Sequence, residues 1–212
     1  TTTDPLTYNT QGSHVITWSF DDGNGNVTTE TQNVVIDDVT APVADVTALA
    51  DVTAECEVTS ITAPTATDNC GATITGTTTD PLTYNTQGSH VITWTYDDGN
   101  GNSSTQIQNV VIDDVTAPVA DVTALADVTY ECEVTSITAP TATDNCGATI
   151  TGTTTDPLTY NTQGSHVITW TYDDGNGNSS TQIQNVVIDD VTAPVADATT
   201  LADITDECSV DI

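Results

Sequence analysis

Lysine and arginine are absent from this 212-residue chain, while aspartate and glutamate together number 31, giving a formal charge of −31 at pH 7. Nucleic-acid binding through phosphate neutralisation is excluded, because it needs those cations. Direct attraction to anionic lipid is excluded for the same reason. No side-chain salt bridge can form near neutral pH, and lysine-dependent chemistry, isopeptide staples included, has no nucleophile. The carboxylates are left to repel one another, bind water, accept hydrogen bonds or hold metal cations. Methionine is also absent, phenylalanine occurs once and aromatics make up 5% of the chain. No apolar run approaches the roughly 18 residues of a membrane span, so direct membrane insertion is not expected. No secretory leader is visible. The first residue falls in mid-pattern, so the native termini are expected to lie elsewhere.

The residues present are rich in threonine, valine, isoleucine and tyrosine, which suit strands. They recur. Thr1-Thr2-Thr3-Asp4-Pro5-Leu6-Thr7-Tyr8 returns at Thr77 and at Thr153; 77 − 1 and 153 − 77 both give a period of 76. Segments 39–114 and 115–190 differ only at Ala54 against Tyr130. The chain therefore divides into 1–38, the C-terminal part of a repeat; 39–114 and 115–190, two complete repeats; and 191–212, the N-terminal part of a further one. The last piece drifts at Ala198, Thr200, Ile204, Asp206 and Ser209. A 76-residue unit is large enough for its own core. Any site would be present once per copy, which argues against a unique catalytic centre, and the chain is expected not to be an enzyme.

Within 115–190, Val119 to Val128 reads as a first strand with breaks. Ser136 to Thr143 is a second, kinked or edge-placed by Pro140. Asp144-Asn145-Cys146-Gly147 is a turn, Ala148 to Thr151 a short strand, and Leu158 to Tyr160 another. His166 to Tyr172 alternates with period two and puts Ile168, Trp170 and Tyr172 on one face. Gly175-Asn176-Gly177-Asn178 turns the chain, Asn-Gly being a strong hairpin signal. Gln182 to Ile188 returns, with Val186 and Ile188 inward. No segment has helical periodicity. This is an all-β pattern, expected to give tandem immunoglobulin-like β-sandwiches in an elongated rod.

The stretch from Gly88 through Trp94 to Tyr96-Asp97-Asp98-Gly99-Asn100-Gly101-Asn102 is closed by Val110-Val111-Ile112-Asp113-Asp114-Val115-Thr116-Ala117-Pro118. Together with Pro64-Thr65-Ala66-Thr67-Asp68-Asn69-Cys70-Gly71, it resembles HYR-type bacterial immunoglobulin-like repeats. Such arrays are typical of giant Bacteroidota surface proteins, including gliding-motility adhesins exported by type IX secretion. The resemblance implies an extracellular stalk or adhesin at the cell surface and names no ligand.

Each complete repeat has two cysteines, Cys56 with Cys70 and Cys132 with Cys146; Cys208 matches the first of a pair. There is no CxxC and no nearby histidine, so a metal site built on thiols has little support. A disulfide within each repeat is expected, and with it an oxidising compartment. Closing a loop of roughly 15 residues contributes about 3 kcal/mol on chain-entropy grounds. Disulfides between neighbouring chains are the alternative.

In a sandwich of this type the linker, the first loop and the hairpin of a repeat meet at one pole. Two clusters of oxygen ligands are expected. One comprises Asp37, Asp38, Asp68, Asp97, Asp98, Asn100 and Asn102; the other Asp113, Asp114, Asp144, Asp173, Asp174, Asn176 and Asn178. Carboxylates gathered with no lysine or arginine need a cation between them. Oxygen donors in this number suit calcium, which takes 6–8 of them. Asp174-Gly175-Asn176-Gly177-Asn178 has the 1,3,5 spacing of calcium loops but not the EF-hand glycine and glutamate. The bland reading is a hairpin turn with solvated aspartates. Asn26, Asn102 and Asn178 also open Asn-x-Ser/Thr glycosylation sequons. His14, His90 and His166 have no visible partner and read as strand-edge residues. Trp94 and Trp170 read as core. Tyr84 and Tyr130 are the starting points for a sugar platform.

The sequence thus points to a stalk or filament region of an extracellular adhesin, stiffened by disulfides and inter-domain calcium. A self-assembling filament or surface-layer subunit and a carbohydrate-binding module are the alternatives. The expected partners are neighbouring repeats, copies of the chain itself, and a surface or glycan ligand.

Overall fold

A computed structural model describes residues 1–71, 73–197, 200, 203–205 and 207–208. Ala198, Asp206 and Ser209, on which part of the reading of 191–212 rests, lie outside the described residues. The chain splits into two compact units, Thr1–Asp114 and Val115–Ile212.

The first unit opens with an antiparallel hairpin, β1 (Gly12–Asp21) and β2 (Val27–Ile36). Six strands follow: β3 (Val43–Ala44), β4 (Val52–Ala54), β5 (Thr65–Thr67), β6 (Thr73–Thr75), β7 (Gly88–Asp97) and β8 (Ser103–Ile112). The second unit repeats them as β9 (Val119–Ala120), β10 (Val128–Tyr130), β11 (Thr141–Thr143), β12 (Thr149–Thr151), β13 (Gly164–Asp173) and β14 (Ser179–Ile188). The described residues hold no helix, and the fold is all-β.

Each repeat is two three-stranded sheets. In the first the orders are β3-β5-β6 and β4-β8-β7, and in the second β12-β11-β9 and β10-β14-β13. The long hairpin β7–β8 forms because its strands alternate and its turn supplies glycines at positive φ, Gly99 at 79° and Gly101 at 104°. The alternation sends Ile92, Trp94 and Tyr96 inward, where they join Val58, Ala66, Val110 and Ile112 in a closed core. Burying each large side chain is worth about 1.5–3 kcal/mol. Gly76 is also buried, and a Cβ there would lie 3.1 Å from the Tyr96 ring and 3.2 Å from the Pro64 carbonyl oxygen. The second repeat builds the same core around Ile168, Trp170 and Tyr172.

Several strand expectations are corrected. Val119 to Val128 is two strands in different sheets: β9 pairs antiparallel with β11, whereas β10 pairs parallel with β14. Residues 121–127 between them are irregular, and they carry the chain from one sheet to the other. The strand expected at Ser136 to Thr143 is reduced to Thr141–Thr143, the residues after Pro140. Leu158 to Tyr160 contributes only an isolated bridge, Tyr160 to Val134.

Candidate metal centre at a repeat boundary

The boundary at residues 38–39 lies inside the first unit. The linker reaches it because β2 ends at Ile36, and the Asp38 amide then donates to Gln11 Oε1 at 2.9 Å. Asp38 is 7% exposed although it is a carboxylate. Its Oδ1 accepts from the Thr40 amide at 3.1 Å, its Oδ2 from Asn100 Nδ2 at 3.2 Å, and its carbonyl oxygen from Asn102 Nδ2 at 2.9 Å.

The turn after β5 brings a second buried carboxylate. Asp68 is 5% exposed; its Oδ2 accepts from the Cys70 amide at 2.8 Å, and its carbonyl oxygen from the Gly71 amide at 2.9 Å. Its Oδ1 is buried and has no hydrogen-bond partner. One ligand atom each from Asp38, Asp68 and Cys70 lies within 4.8 Å of the others. All the donors on these carboxylates are neutral. Two buried carboxylates in a chain without lysine or arginine to pair them, one of them with an orphaned oxygen, are costly. Desolvation by burial, then the charges of Asp38 and Asp68, hold the Cys70 thiol above its usual value.

The hairpin supplies less of the site than its composition suggests. Asp98 Oδ1 accepts from the Asn100 and Asn102 amides at 2.7 and 3.1 Å, and its Oδ2 from Asn102 Nδ2 at 2.7 Å. Burial would raise its pKa, but the Asn102 side chain and the turn amides outweigh that and lower it. Asp97 is exposed and caps the Gly99 amide at 2.8 Å. Asp37 is exposed. The structure therefore brings together Asp38, Asp68, Asn100 and Asn102, with Asp98 bracing Asn102, and leaves Asp37 and Asp97 facing solvent.

Within the second unit the same local geometry holds. Asp144 is buried with its Oδ1 unpartnered. Asp174 accepts from the Asn176 amide at 2.7 Å, from the Asn178 amide at 3.1 Å and from Asn178 Nδ2 at 2.8 Å. Asp173 caps Gly175 at 2.8 Å and is exposed. At the end of the first unit, Asp113 is exposed and its amide donates to the Ala54 carbonyl oxygen at 3.0 Å. The buried Asp114 donates its amide to Gln87 Oε1 at 2.9 Å, as Asp38 does to Gln11.

The cysteine pairing expected within each repeat is not formed. Cys70 and Cys132 are free, whereas Cys56 and Cys146 are disulfide-bonded. Topology gives the reason. Cys56 follows β4, whose Ala54 pairs in parallel register with Ile112, the last residue of β8. Cys70 sits in the turn after β5, beside Asp38 at the entry of the repeat. The two cysteines of one repeat occupy opposite ends of it.

The histidines do have partners. His90 Nε2 lies 3.0 Å from the Thr86 carbonyl oxygen, and its ring packs 4.7 Å from that of Tyr84. Tyr84 packs against the core and offers no platform, whereas Tyr130 is 58% exposed. Sequence reading also missed two glutamines. Tyr96 Oη donates to Gln106 Oε1 at 2.8 Å and Trp94 Nε1 to Gln108 Oε1 at 3.0 Å. Their amides donate to the carbonyl oxygens of Val46 and Ala50 at 2.8 and 3.1 Å. The signal was available, since both share the inward phase of Val110 and Ile112.

Comparison with known proteins gives a family match and two groups of relatives. The model of an HYR-like domain with 4 cysteines matches residues 39–112 and 115–188. Hyalin from Lytechinus variegatus is 35% identical over 202 residues, covering 86% of this chain and 38% of that protein. Hyalin from Strongylocentrotus purpuratus is 34% identical over 198 residues, covering 85% and 16%. The chain thus spans less than two-fifths of either relative. Among solved structures, protocadherin gammaB7 domains EC3-6 align over 84% of this chain and 60% of that one, with 14% identity and a TM-score of 0.31. An endo-fucoidan hydrolase of glycoside hydrolase family 107 aligns over 85% and 34%, with 17% identity and a TM-score of 0.25.

Proposed function

Because the chain belongs to the family of HYR-like domains with 4 cysteines, we propose that it is a non-enzymatic spacer region of an extracellular surface adhesin, its joints stiffened by bound calcium. The observation that carries the calcium is the buried pair Asp38 and Asp68, one from each side of a repeat boundary, with Asp68 Oδ1 unpartnered. A hard divalent cation between them relieves the repulsion and supplies the missing partner. It also ties the end of one repeat to a loop of the next, and Asn100 and Asn102 hold the linker from a third side. Removing the ion restores repulsion at the joint and loosens it. The extracellular setting is supported by the disulfide-bonded cysteines, Cys56 and Cys146. The bacterial cell-surface setting rests on the motif resemblance alone, the two relatives being eukaryotic.

Small-angle scattering with calcium and with excess chelator tests the reading. A stiffened array has a larger maximum dimension in calcium than in chelator. The same dimension in both would contradict it.

A carbohydrate-binding role has one observation in its favour, the exposed Tyr130. Its counterpart in the preceding repeat is Ala54, so any such platform belongs to one repeat only. Glycan-array binding that disappears in Tyr130→Ala is its test.

A further inference from the structure

The single position at which segments 39–114 and 115–190 differ puts a ring on the surface. Tyr130 stands where the preceding repeat has Ala54. It is 58% exposed, and among the described residues it is the one exposed tyrosine. Tyrosine is enriched where surfaces bind, because its ring brings a large contact area at little cost in conformational entropy.

The ring belongs to a cleft. A cavity of about 290 Å³ is lined by Thr129, Tyr130, Glu131, Val187 and Asp189, all of the second unit. Its frame is fixed from several sides. Tyr130 ends β10 in parallel register with Ile188 of β14, and the Asp189 amide donates to the Tyr130 carbonyl oxygen at 2.9 Å. Gln163 Nε2 donates to the Glu131 carbonyl oxygen at 2.9 Å, while Gln163 Oε1 accepts from the Asp190 amide at 2.9 Å. Thr192 Oγ1 donates to Glu131 Oε2 at 2.7 Å and orients that carboxylate. The cleft thus offers an aromatic ring and two carboxylates, in a chain with no lysine or arginine to neutralise them.

We propose that this cleft binds the cationic end of a lysine or arginine side chain from a partner protein. Glu131 and Asp189 supply the charge, and Tyr130 supplies the ring face. A cation is attracted to the negative face of the ring and forms charge-assisted hydrogen bonds with carboxylates. A neutral sugar would use the ring and gain nothing from the charges. The field of the whole chain acts in the same sense, since a charge of −31 draws a basic partner and repels a second copy. The first repeat has the same frame without the ring. There the Asp113 amide donates to the Ala54 carbonyl oxygen at 3.0 Å, and Gln87 Nε2 to the Glu55 carbonyl oxygen at 2.9 Å. Carboxylates alone are therefore present in one repeat, and carboxylates with a ring in the other. The inference does not draw on bound calcium.

The test is an NMR titration of the isotope-labelled 212-residue chain, in chelator and at fixed ionic strength. The probes are Nα-acetylargininamide, Nα-acetyllysinamide and the uncharged isostere Nα-acetylcitrullinamide. The two cationic probes should give saturable shifts at the amides of Tyr130, Glu131 and Asp189, and the citrulline probe none. Tyr130→Ala installs the residue with which the first repeat already folds, and it should weaken binding about two- to fivefold. Glu131→Gln should also weaken it. Ala54→Tyr should create a matching response at Glu55 and Asp113. Equal shifts from the citrulline probe, unchanged affinity in Tyr130→Ala, or no saturable response to either cation would overturn the proposal. So would saturation by a neutral methyl glycoside in place of the cations, which would assign the cleft to a sugar.

Discussion

Asn102, in the turn between β7 and β8, donates its side-chain amide both to Asp98 Oδ2 at 2.7 Å and, across the repeat boundary, to the carbonyl oxygen of Asp38 at 2.9 Å. One amide therefore holds the hairpin shut and fastens the linker to it. Asn102→Ala removes both bonds. The expected cost is about 1–2 kcal/mol, read as a lower midpoint in calorimetry. The amide is committed to these contacts, so Asn102 should also stay unmodified despite opening a glycosylation sequon.

Gln108 and Gln184 join the core indoles to the irregular segments between sheets. Gln108 Oε1 accepts from Trp94 Nε1 at 3.0 Å and its amide donates to Ala50 at 3.1 Å. Gln108→Ala leaves a buried indole N–H unsatisfied and should cost about 1–3 kcal/mol. Thr105→Ala, at an exposed site on the same strand, should cost less than about 0.5 kcal/mol. Urea unfolding followed by tryptophan fluorescence checks both.

Gly152 is closely surrounded by core atoms, which would have to give way to a side chain. A Cβ there would meet the Tyr172 ring at 3.1 Å and the Pro140 carbonyl oxygen at 3.3 Å. Gly152→Ala should destabilise the second repeat by about 1–3 kcal/mol. Since Gly76 is unchanged in that variant, calorimetry should resolve an earlier transition for one repeat and an unshifted one for the other.

Asp45 and Asp121 tie the first strand of each repeat to its neighbour. Hydroxyl donation from Thr65 and then Thr67 holds the Asp45 carboxyl below its ordinary value of 3.8, and Thr141 and Thr143 do the same for Asp121. A depressed carboxylate contributes stability above its unfolded pKa, and that contribution is lost as the pH falls through the lower folded value. Midpoints should therefore be flat from pH 7 to about 5 and fall below about 4. The Asp45→Asn, Asp121→Asn double variant should show a shallower acid fall.

Much of this architecture is legible in the sequence, and the reasons for the gaps are physical. The hairpins were readable because period-two alternation places Ile92, Trp94 and Tyr96 on one face and leaves few alternatives. The division of Val119 to Val128 between two sheets was not, because two- and three-residue strands carry too little periodicity to assign a partner. The convergence of Asp38 and Asp68 follows from the immunoglobulin-like pole argument, but the inward folding of the Asp98 carboxylate follows from turn geometry that composition does not reveal. Cysteine pairing failed for a related reason. A spacing of fourteen residues says nothing about which end of a sandwich each thiol reaches, and the parallel pairing of Ala54 with Ile112 decides it.

Calorimetric titration of calcium into chelator-treated chain addresses the joint most directly, with Asp38→Asn and Asp68→Asn each compared with wild type. A joint that holds a cation gives saturable heat in wild type, with fewer sites in each variant. Absence of saturable heat up to millimolar calcium, or an unchanged number of sites in both variants, would contradict a cation at the buried aspartates.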